Sequence, residues 1–562
     1  MSDSTRALTR TGLAIFILAT LAVIGRADLT PEWVRRFPVG TSFSSGIQDM
    51  AASEDGVVYV TGIAGGASNT DAVTAAYRPD GSLLWSRTYN GPANWHDQGR
   101  GIALGSSGEL YVTGTTTSAT FVSKLLLLKY DASTGALLNA IQHSGAPLAS
   151  EHGASVATDA QGNVYVAGAT DGDGADALVV KFDAAGTFQW QRTWDGPARS
   201  PYSLDTALEL LVDPDGNPVV LINGIMSSLH PDFVVVKYAP NDGSTLWEAA
   251  WGGLGEDAAA DMEIDLGGDV YVTGTAFDAI NRYSTIKLDG DNGQLLWQAY
   301  DNLGLDDQAF GLALDRKAGV YITGAIDPDG DDSNFNERIY TVKRDAFSGA
   351  LLWTHAYGDT CVGCFDSPTD VAVDPDGHVF VSGTTSSAPY NGEMITLVLD
   401  ADTGVELDRG VLPGTVGESA GAGEQGLDGD YNLFIAGQVR DSITGLIEIS
   451  VVKYTSLVSN LYALDVTNLI GGATANFVVS NATPLAMQYV LLSLQGPGSV
   501  PVPSFGITLN LESPILILFG SSDALGTYSV PVQIPAGAIG RTVWLQAAER
   551  DHTTPVLRLV VN

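Results

Sequence analysis

A chain made almost wholly of short β-strands, one structural unit repeated in series, is what this sequence predicts. Three observations carry that reading. An apolar phrase ending in glycine recurs about every 54 residues, a tryptophan recurs at a fixed offset in the same period, and charged helix-forming stretches are nearly absent.

The apolar phrase reads VVYVTG (57–62), ELYVTG (109–114), NVYVAG (163–168), DVYVTG (269–274), GVYITG (319–324), HVFVSG (378–383) and NLFIAG (432–437). A worn copy, VVLING (219–224), fills the gap, so the last glycines are Gly62, Gly114, Gly168, Gly224, Gly274, Gly324, Gly383 and Gly437. A second phrase follows it: LLLKYD ends at Asp131, LVVKFD at Asp183, VVVKYA at Ala239, STIKLD at Asp289 and SVVKYT at Thr455. A shorter run, such as GIALG or DVAVD, precedes it and carries a small residue at one matching place (Ala51, Ala103, Ala157, Ala313, Ala372). Turn sequences separate the strands: DAQGN, DPDGN and DPDGH early in the unit, DASTG, DGDNG and DAFSG late. The strands are apolar on both faces, as expected when each sheet packs between two others. Four such strands about every 50 residues predict a β-propeller, here with eight copies of the unit.

The tryptophan sits in GSLLWSRTYNG, GTFQWQRTWDG, GSTLWEAAWGG and GALLWTHAYGD. Trp33, Trp85, Trp190, Trp247, Trp297 and Trp353 hold the place in six units, and a hairpin that delivers each ring at a fixed offset predicts structural wedges between blades. Asn139 and Asp408 replace it in the other two, where weaker seams are expected. The order of phrases also predicts closure. PEWVRRFPVG (31–40) is a tryptophan strand with no unit before it, and SVVKYT ends a unit that lacks one. The strand around Trp33 is expected to complete the last blade.

With these motifs in view the chain resembles the secreted bacterial β-propeller repeat (SBBP repeat) family over roughly residues 30–456. The likeness rests on EHGASVATDAQGNVYVAG (151–168) and EDAAADMEIDLGGDVYVTG (256–274). The family implies seven blades, whereas this chain has eight copies, and it implies no assigned activity. The Asp-to-Gly hairpin that leads into the tryptophan, as in DAFSGALLW (345–353), also resembles the tryptophan-docked propellers of PQQ dehydrogenases. Those enzymes carry adjacent cysteines over the cofactor, while here two residues separate Cys361 from Cys364.

The ends of the chain read differently. Arg6 and Arg10, the apolar run 12–24 and small Ala27 predict a cleaved signal peptide over 1–27, hence export and a secreted, cell-surface or periplasmic address. The propeller is expected over 28–458. From 459 to 562 lysine vanishes, prolines accumulate and alternating apolar runs predict a C-terminal β-sandwich, similar to a small module at the end of many exported bacterial proteins. No run after the signal is long enough to span a bilayer as a helix. A net charge of −38 speaks against nucleic acid and anionic membranes as partners. Cys361 and Cys364, in an oxidising compartment, read as a small loop disulfide; a redox dithiol lacks its βαβ context.

No catalytic constellation stands out: HExxH and a phosphate loop are missing. Asp97, Glu151, Asp205, Asp257, Asp307, Asp366 and Glu418 recur with the unit, which predicts hydrogen bonds from loop to backbone. Two acidic stretches do not recur, DGDGAD (171–176) and DPDGDDSNFNE (327–337). Their carboxylates Asp171, Asp173, Asp176, Asp327, Asp329 and Asp331 are calcium candidates, set against a reading as solvated turns. The expectation is a non-catalytic exported scaffold that binds a protein or polysaccharide, with no assigned cofactor and Ca²⁺ as the one candidate, and with a quinoprotein-like (PQQ-dependent) oxidoreductase as its alternative.

Overall fold

The computed structural model describes residues 29–561, except 41–45, 66–68, 146–148, 172–174, 198–204, 227–229, 253–254, 278–279, 302–305, 316, 328–336, 359–364, 387–391, 413–417, 442–445, 456–462, 468–472, 481–486, 495–496, 503–506, 512, 523–527, 536–537, 540, 550–551 and 554–556. The signal-peptide reading and the Cys361–Cys364 pair lie outside the described residues. Among those described, the regular elements are strands, and no helix is long and apolar enough to cross a membrane.

The fold is all-β and propeller-like. Each unit is an antiparallel sheet of inner, second, third and outer strand, as in Asp97–Leu104, Glu109–Thr117, Ser123–Asp131 and Leu137–His143. Eight such groups stand among the described residues, with inner strands Gly46–Ala52, Asp97–Leu104, Ser150–Thr158, Thr206–Val212, Ala258–Ile264, Asp306–Leu314, Ser367–Val373 and Glu418–Leu427. The eighth takes its outer strand from the other end of the chain. Trp33–Gly40 pairs antiparallel with Ile447–Tyr454, placing Trp33 opposite Lys453 and Phe37 opposite Ile449.

The second and third strands are buried on both faces, and each hydrophobic cluster of the repeat array spans a seam between units. Tyr165, Val179 and Trp190 of the third unit pack with Leu210, Val220 and Val236 of the fourth. Trp33 joins Val58, Val60 and Val73 of the first unit to Phe434 and Ile449 of the eighth.

A second device fixes each seam. Across the third and outer strands the tryptophan faces a lysine: Lys181–Trp190, Lys237–Trp247, Lys287–Trp297, Lys343–Trp353 and Lys453–Trp33. At four seams both donate to one main-chain carbonyl in the outer hairpin of the next unit. Trp190 Nε1 and Lys181 Nζ meet Pro240 O at 3.1 and 2.6 Å. Trp247 and Lys237 meet Gly290 O at 2.9 and 2.8 Å, and Trp353 and Lys343 meet Ala401 O at 2.8 and 2.9 Å. At the closing seam Trp33 and Lys453 meet Pro79 O at 2.9 and 3.2 Å, although they stand at opposite ends of the repeat array.

The hairpin glycine lies flat against the indole. At Gly135 φ is +66° and a Cβ would sit 2.4 Å from the Trp85 ring, so both backbone and packing exclude other residues. The substituted seams have separate causes. Asn139 takes the indole's place against Gly186. Asp408 has no hairpin to meet, because the eighth unit's outer strand arrives from Trp33. Leu29 fills that seam instead, packed with Phe380 and Val398, and its N–H bonds Arg409 O at 2.9 Å.

In the C-terminal region one sheet holds Ala463–Thr467, Thr474–Ser480 and Tyr528–Gln533; a second is built around Met487–Ser493, Ile515–Ser521 and Thr542–Glu549. Ala475, Phe477 and Val479 of the first share a core with Val490, Val543 and Leu545 of the second.

Trp85→Ala is expected to cost about 3–5 kcal/mol in denaturant unfolding, as for a buried aromatic truncated to a cavity. Gly135→Ala, which removes no contact, is expected to cost more than about 1 kcal/mol because the strained φ and the indole both oppose its methyl. A loss under about 1 kcal/mol for Trp85→Ala contradicts the wedge.

Candidate functional site

Antiparallel order sorts the connections of each unit onto two ends. The turns between inner and second strands, and between third and outer strands, leave from one end and carry the recurring Asp-to-Gly sequences. The first kind is self-contained: Asp159 Oδ1 accepts the N–H of Gln161 and of Asn163, both at 2.9 Å, and Oδ2 accepts the Tyr165 hydroxyl at 3.1 Å. Asp213 is built the same way and holds Lys237 Nζ at 2.5 Å. The connections from second to third strand and from unit to unit leave from the opposite end and do not recur in sequence.

The recurring acids that open the inner strands tie these variable connections down. Gly91 N–H donates to Asp97 at 2.6 Å, Gly145 N–H to Glu151 at 2.7 Å, Ile225 N–H to Asp205 at 2.7 Å and Phe277 N–H to Asp257 at 2.8 Å. The Thr385 hydroxyl donates to Asp366. They are buried builders of the unit.

Of the calcium candidates, Asp173, Asp329 and Asp331 lie outside the described residues. Asp171 is exposed at a strand end, and Asp327 is buried at the end of Gly319–Asp327. Asp176 is drawn into a group with two residues from the next connection: carboxylate oxygens of Asp176, Asp195 and Asp205 lie within 4.8 Å of one another. Burial raises the Asp205 carboxyl, and the Asp195 charge adds to it. Asp195 carried no signal in the sequence, because the three residues converge only in the fold.

A denser acidic set lines the channel enclosed by the inner strands. Every inner strand carries a one-residue bulge at the same place, with register slips at Ile47/Asp49, Gly99/Gly101, Gly153/Ser155, Ala207/Glu209, Ala259/Asp261, Ala309/Gly311, Pro368/Asp370 and Ala422/Glu424. The residue after the bulge reaches over the seam. It accepts the main-chain N–H of the next inner strand: Ile102 to Asp49 at 2.7 Å, Leu210 to Ser155 at 3.1 Å, Met262 to Glu209 at 2.9 Å, Leu312 to Asp261 at 2.6 Å, and Gln425 to Asp370. The Met262 N–H is also 2.9 Å from Asp261 Oδ1, and the Glu209 and Asp261 carboxyls bond to each other. Two carboxylates so placed share a proton.

Glu209, Asp261, Glu263, Asp370 and Glu424 line a cavity of about 510 Å³ together with Phe310 and Leu314, and among the described residues no Lys, Arg or His lines it. Channel water reaches these side chains, yet protein encloses them, and burial is the main cause that raises each carboxyl. Glu263 is pushed up to about 8 and Glu424 to about 7, with the Asp261 charge adding to both. Asp49, in the first unit, is raised by burial and then by Glu424. Arg100 stands on the bulge of the second unit, bonded to Gln98 at 3.0 Å, and burial lowers it; neighbouring His152 is lowered by burial and then by Arg100.

Over residues 123–301, under half of its length, the chain matches the family model described as outer membrane protein assembly factor BamB. No curated protein matches it. Among solved structures it is similar to quinohemoprotein alcohol dehydrogenase from Comamonas testosteroni, with 12% identity, 76% of each chain covered and a TM-score of 0.48. It is similar to Sqt1 from Chaetomium thermophilum, with 11% identity, 75% of this chain and 100% of that one covered, and a TM-score of 0.46. The WD40 domain of SCAP from fission yeast gives 10% identity, 75% and 98% coverage, and a TM-score of 0.43.

Raised carboxyls bind more protons in the folded state than in the unfolded chain between about pH 4, where free carboxyls titrate, and about pH 8. Their stabilising contribution is whole below that window and is lost as pH rises through it. Melting temperature is expected to fall from about pH 6 to about pH 9, and to fall less in Glu424→Gln. A variant whose pH profile parallels the parent contradicts the assignment.

Proposed function

We propose that the chain is an exported, non-catalytic propeller scaffold that binds a protein or polysaccharide at the cell surface or outside the cell. One observation carries the reading: recurring residues are used up in turns, seams and strand ties, while non-recurring sequence gathers at one end of the units. Variable loops on a rigid frame are where recognition is usually placed, whereas catalysis needs one converging set of acid, base and stabiliser. That end also displays apolar surface. Trp95 and Phe121 stand with ring centroids 4.8 Å apart, and Phe121 is 69% exposed. The resemblance to the SBBP repeat family supports export, and the partial match to an outer membrane assembly factor supports a role at the envelope.

The alternative is a quinoprotein-like oxidoreductase. The described channel does not fit that cofactor: PQQ is a tricarboxylate, and the cavity presents Glu209, Asp261, Glu263, Asp370 and Glu424 without a lining cation. Purified protein given PQQ and Ca²⁺ is expected to oxidise neither alcohols nor aldoses with an artificial acceptor. It is expected to be retained by an envelope or matrix fraction, less so as Trp95→Ala/Phe121→Ala with unchanged melting. PQQ-dependent turnover overturns the scaffold.

Calcium belongs to the variable end in this reading, on Asp176, Asp195 and Asp205. At a hundredfold excess over its dissociation constant it stabilises the fold by about 2.7 kcal/mol. Millimolar Ca²⁺ is expected to raise the melting point of the parent and leave Asp195→Asn, altered at an exposed carboxylate, unmoved. An equal response in both contradicts the site.

A further inference from the structure

A second cavity, of about 580 Å³, lies at the variable end, where the fourth, fifth and sixth units meet. His230 reaches it from the connection between second and third strands of the fourth unit, and Glu256 from the link between the fourth unit and the fifth. Thr275 and Phe277 stand at the end of Val270–Phe277, Asn281 at the start of Asn281–Leu288, and Gln308 on the inner strand Asp306–Leu314. Phe277 stands three residues past the closing glycine of its unit, Gly274. Other units carry a small or polar residue at that place, as with Gly65, Thr117, Asp171 and Ser386.

The aromatic ring is held and yet presented. Phe277 pairs across the strands with Asn281, and its N–H donates to Asp257 at 2.8 Å. A Cβ on Gly255 would overlap the Phe277 ring, so the ring rests on bare main chain, and the residue stays 40% exposed. Asn281 Nδ2 donates to Asp306 Oδ1 at 2.5 Å, which leaves the amide oxygen of Asn281 without a protein bond among the described residues. The exposed Gln308 amide has no protein partner among them either. His230 Nδ1 and Glu256 Oε1 stand 3.4 Å apart. One aromatic ring therefore shares a cleft with amide, hydroxyl, imidazole and carboxylate groups, and among the described residues no Lys or Arg lines it.

We propose that this cleft binds a neutral glycan, with the C–H face of a pyranose ring on Phe277 and its hydroxyls on Asn281, Gln308 and Glu256. The inference rests on the variable end being a recognition surface and names which partner class this part of it takes. A sugar carries an apolar C–H face and, around its edge, hydroxyls that both donate and accept. An aromatic ring beside planar amide and carboxylate groups matches both. A protein partner instead docks by apolar anchors buried at the centre of an interface of about 800 Å² per side. Apart from Phe277 and Ala258, the side chains lining this cleft are polar, so it offers no pocket for such an anchor. Its volume is that of a small-ligand site. Charge selects among sugars: Glu256 on the wall, Asp306 behind Asn281 and a net charge of −38 oppose uronic and sulfated units.

The test is titration calorimetry of the full chain with cellohexaose, maltohexaose, mannohexaose and chitohexaose as neutral probes and hexagalacturonate as the acidic one. At least one neutral probe is expected to bind saturably, and hexagalacturonate at least about tenfold more weakly. Phe277→Ala is expected to weaken the neutral probe about tenfold or more, as for the loss of a covered phenyl ring, and Phe277→Trp to keep it. Gln308→Ala, at an exposed position, is expected to weaken it about three- to tenfold, as for one lost hydrogen bond. Each variant is checked for parental melting. Phe347→Ala, which removes an 89% exposed ring in an outer hairpin at the opposite end, is expected to change nothing. The site is overturned if no neutral probe saturates, if hexagalacturonate binds as well as the best of them, or if Phe277→Ala and Gln308→Ala bind as the parent does. Retention on the envelope fraction that survives such a failure, and is lost with Trp95 and Phe121, keeps the scaffold reading; PQQ-dependent turnover is what removes it.

Discussion

The contact on which the ring depends is a main-chain carbonyl in the next unit's outer hairpin, taken by an indole N–H at six seams and, at four of these, by an ammonium as well. It joins the outer hairpin of one unit to the third and outer strands of the unit before it. Each partner excludes water from the other: the indole covers the carbonyl, and the lysine stem lies over an aromatic ring, as Lys181 does over Tyr165 at 5.1 Å. Buried hydrogen bonds to an ionised group are stronger than neutral ones. The hairpin glycine is a consequence of this contact, since only a residue without Cβ lets the indole close on the turn. Neighbouring strands are thereby fixed in height, and the side chains after the inner-strand bulges arrive opposite the N–H groups they accept.

The closing seam shows that the contact, more than chain continuity, sets the unit boundary. Trp33 and Lys453 take the same roles as Trp190 and Lys181 although the chain does not connect them locally. The one outer strand whose neighbour has no hairpin carries Asp408 in place of tryptophan, and Leu29 covers the seam. Recurring chemistry is thus spent on the ring itself. The channel acids and the variable connections are left to distinguish this propeller from others of its fold.

Much of this was legible in the sequence, for a physical reason. Tryptophan and glycine are rare enough at a fixed spacing to reveal a repeated contact, and VYVTG-type runs report strands buried on both faces. Closure followed from counting which unit lacked which strand. Three things were hidden. The lysine of VVKYD was visible, but its carbonyl partner lies in the next unit. Asp49, Glu209, Asp261, Asp370 and Glu424 were invisible as a set, because a bulge shifts strand parity by one and Gly101, Ser155 and Gly311 break the pattern. Glu263 could have been found, as an acid at the place where other units carry alanine. Of the rim acids only Asp176 was legible as a calcium candidate; Asp205 read as a recurring loop tie and Asp195 gave no signal, because their proximity is set by the fold.

The central claim is that the seam closed by Trp33 and Lys453 is a seam like the others. Native-state amide hydrogen exchange tests it directly, because an edge strand and an interior strand differ in protection by the free energy of the opening that exposes them. The strand Ile447–Tyr454, which has no outer neighbour other than Trp33–Gly40, is predicted to exchange as slowly as its counterpart Ser123–Asp131 in the second unit. Exchange of Ile447–Tyr454 on the time scale of a frayed edge, while Ser123–Asp131 stays protected, would contradict the account.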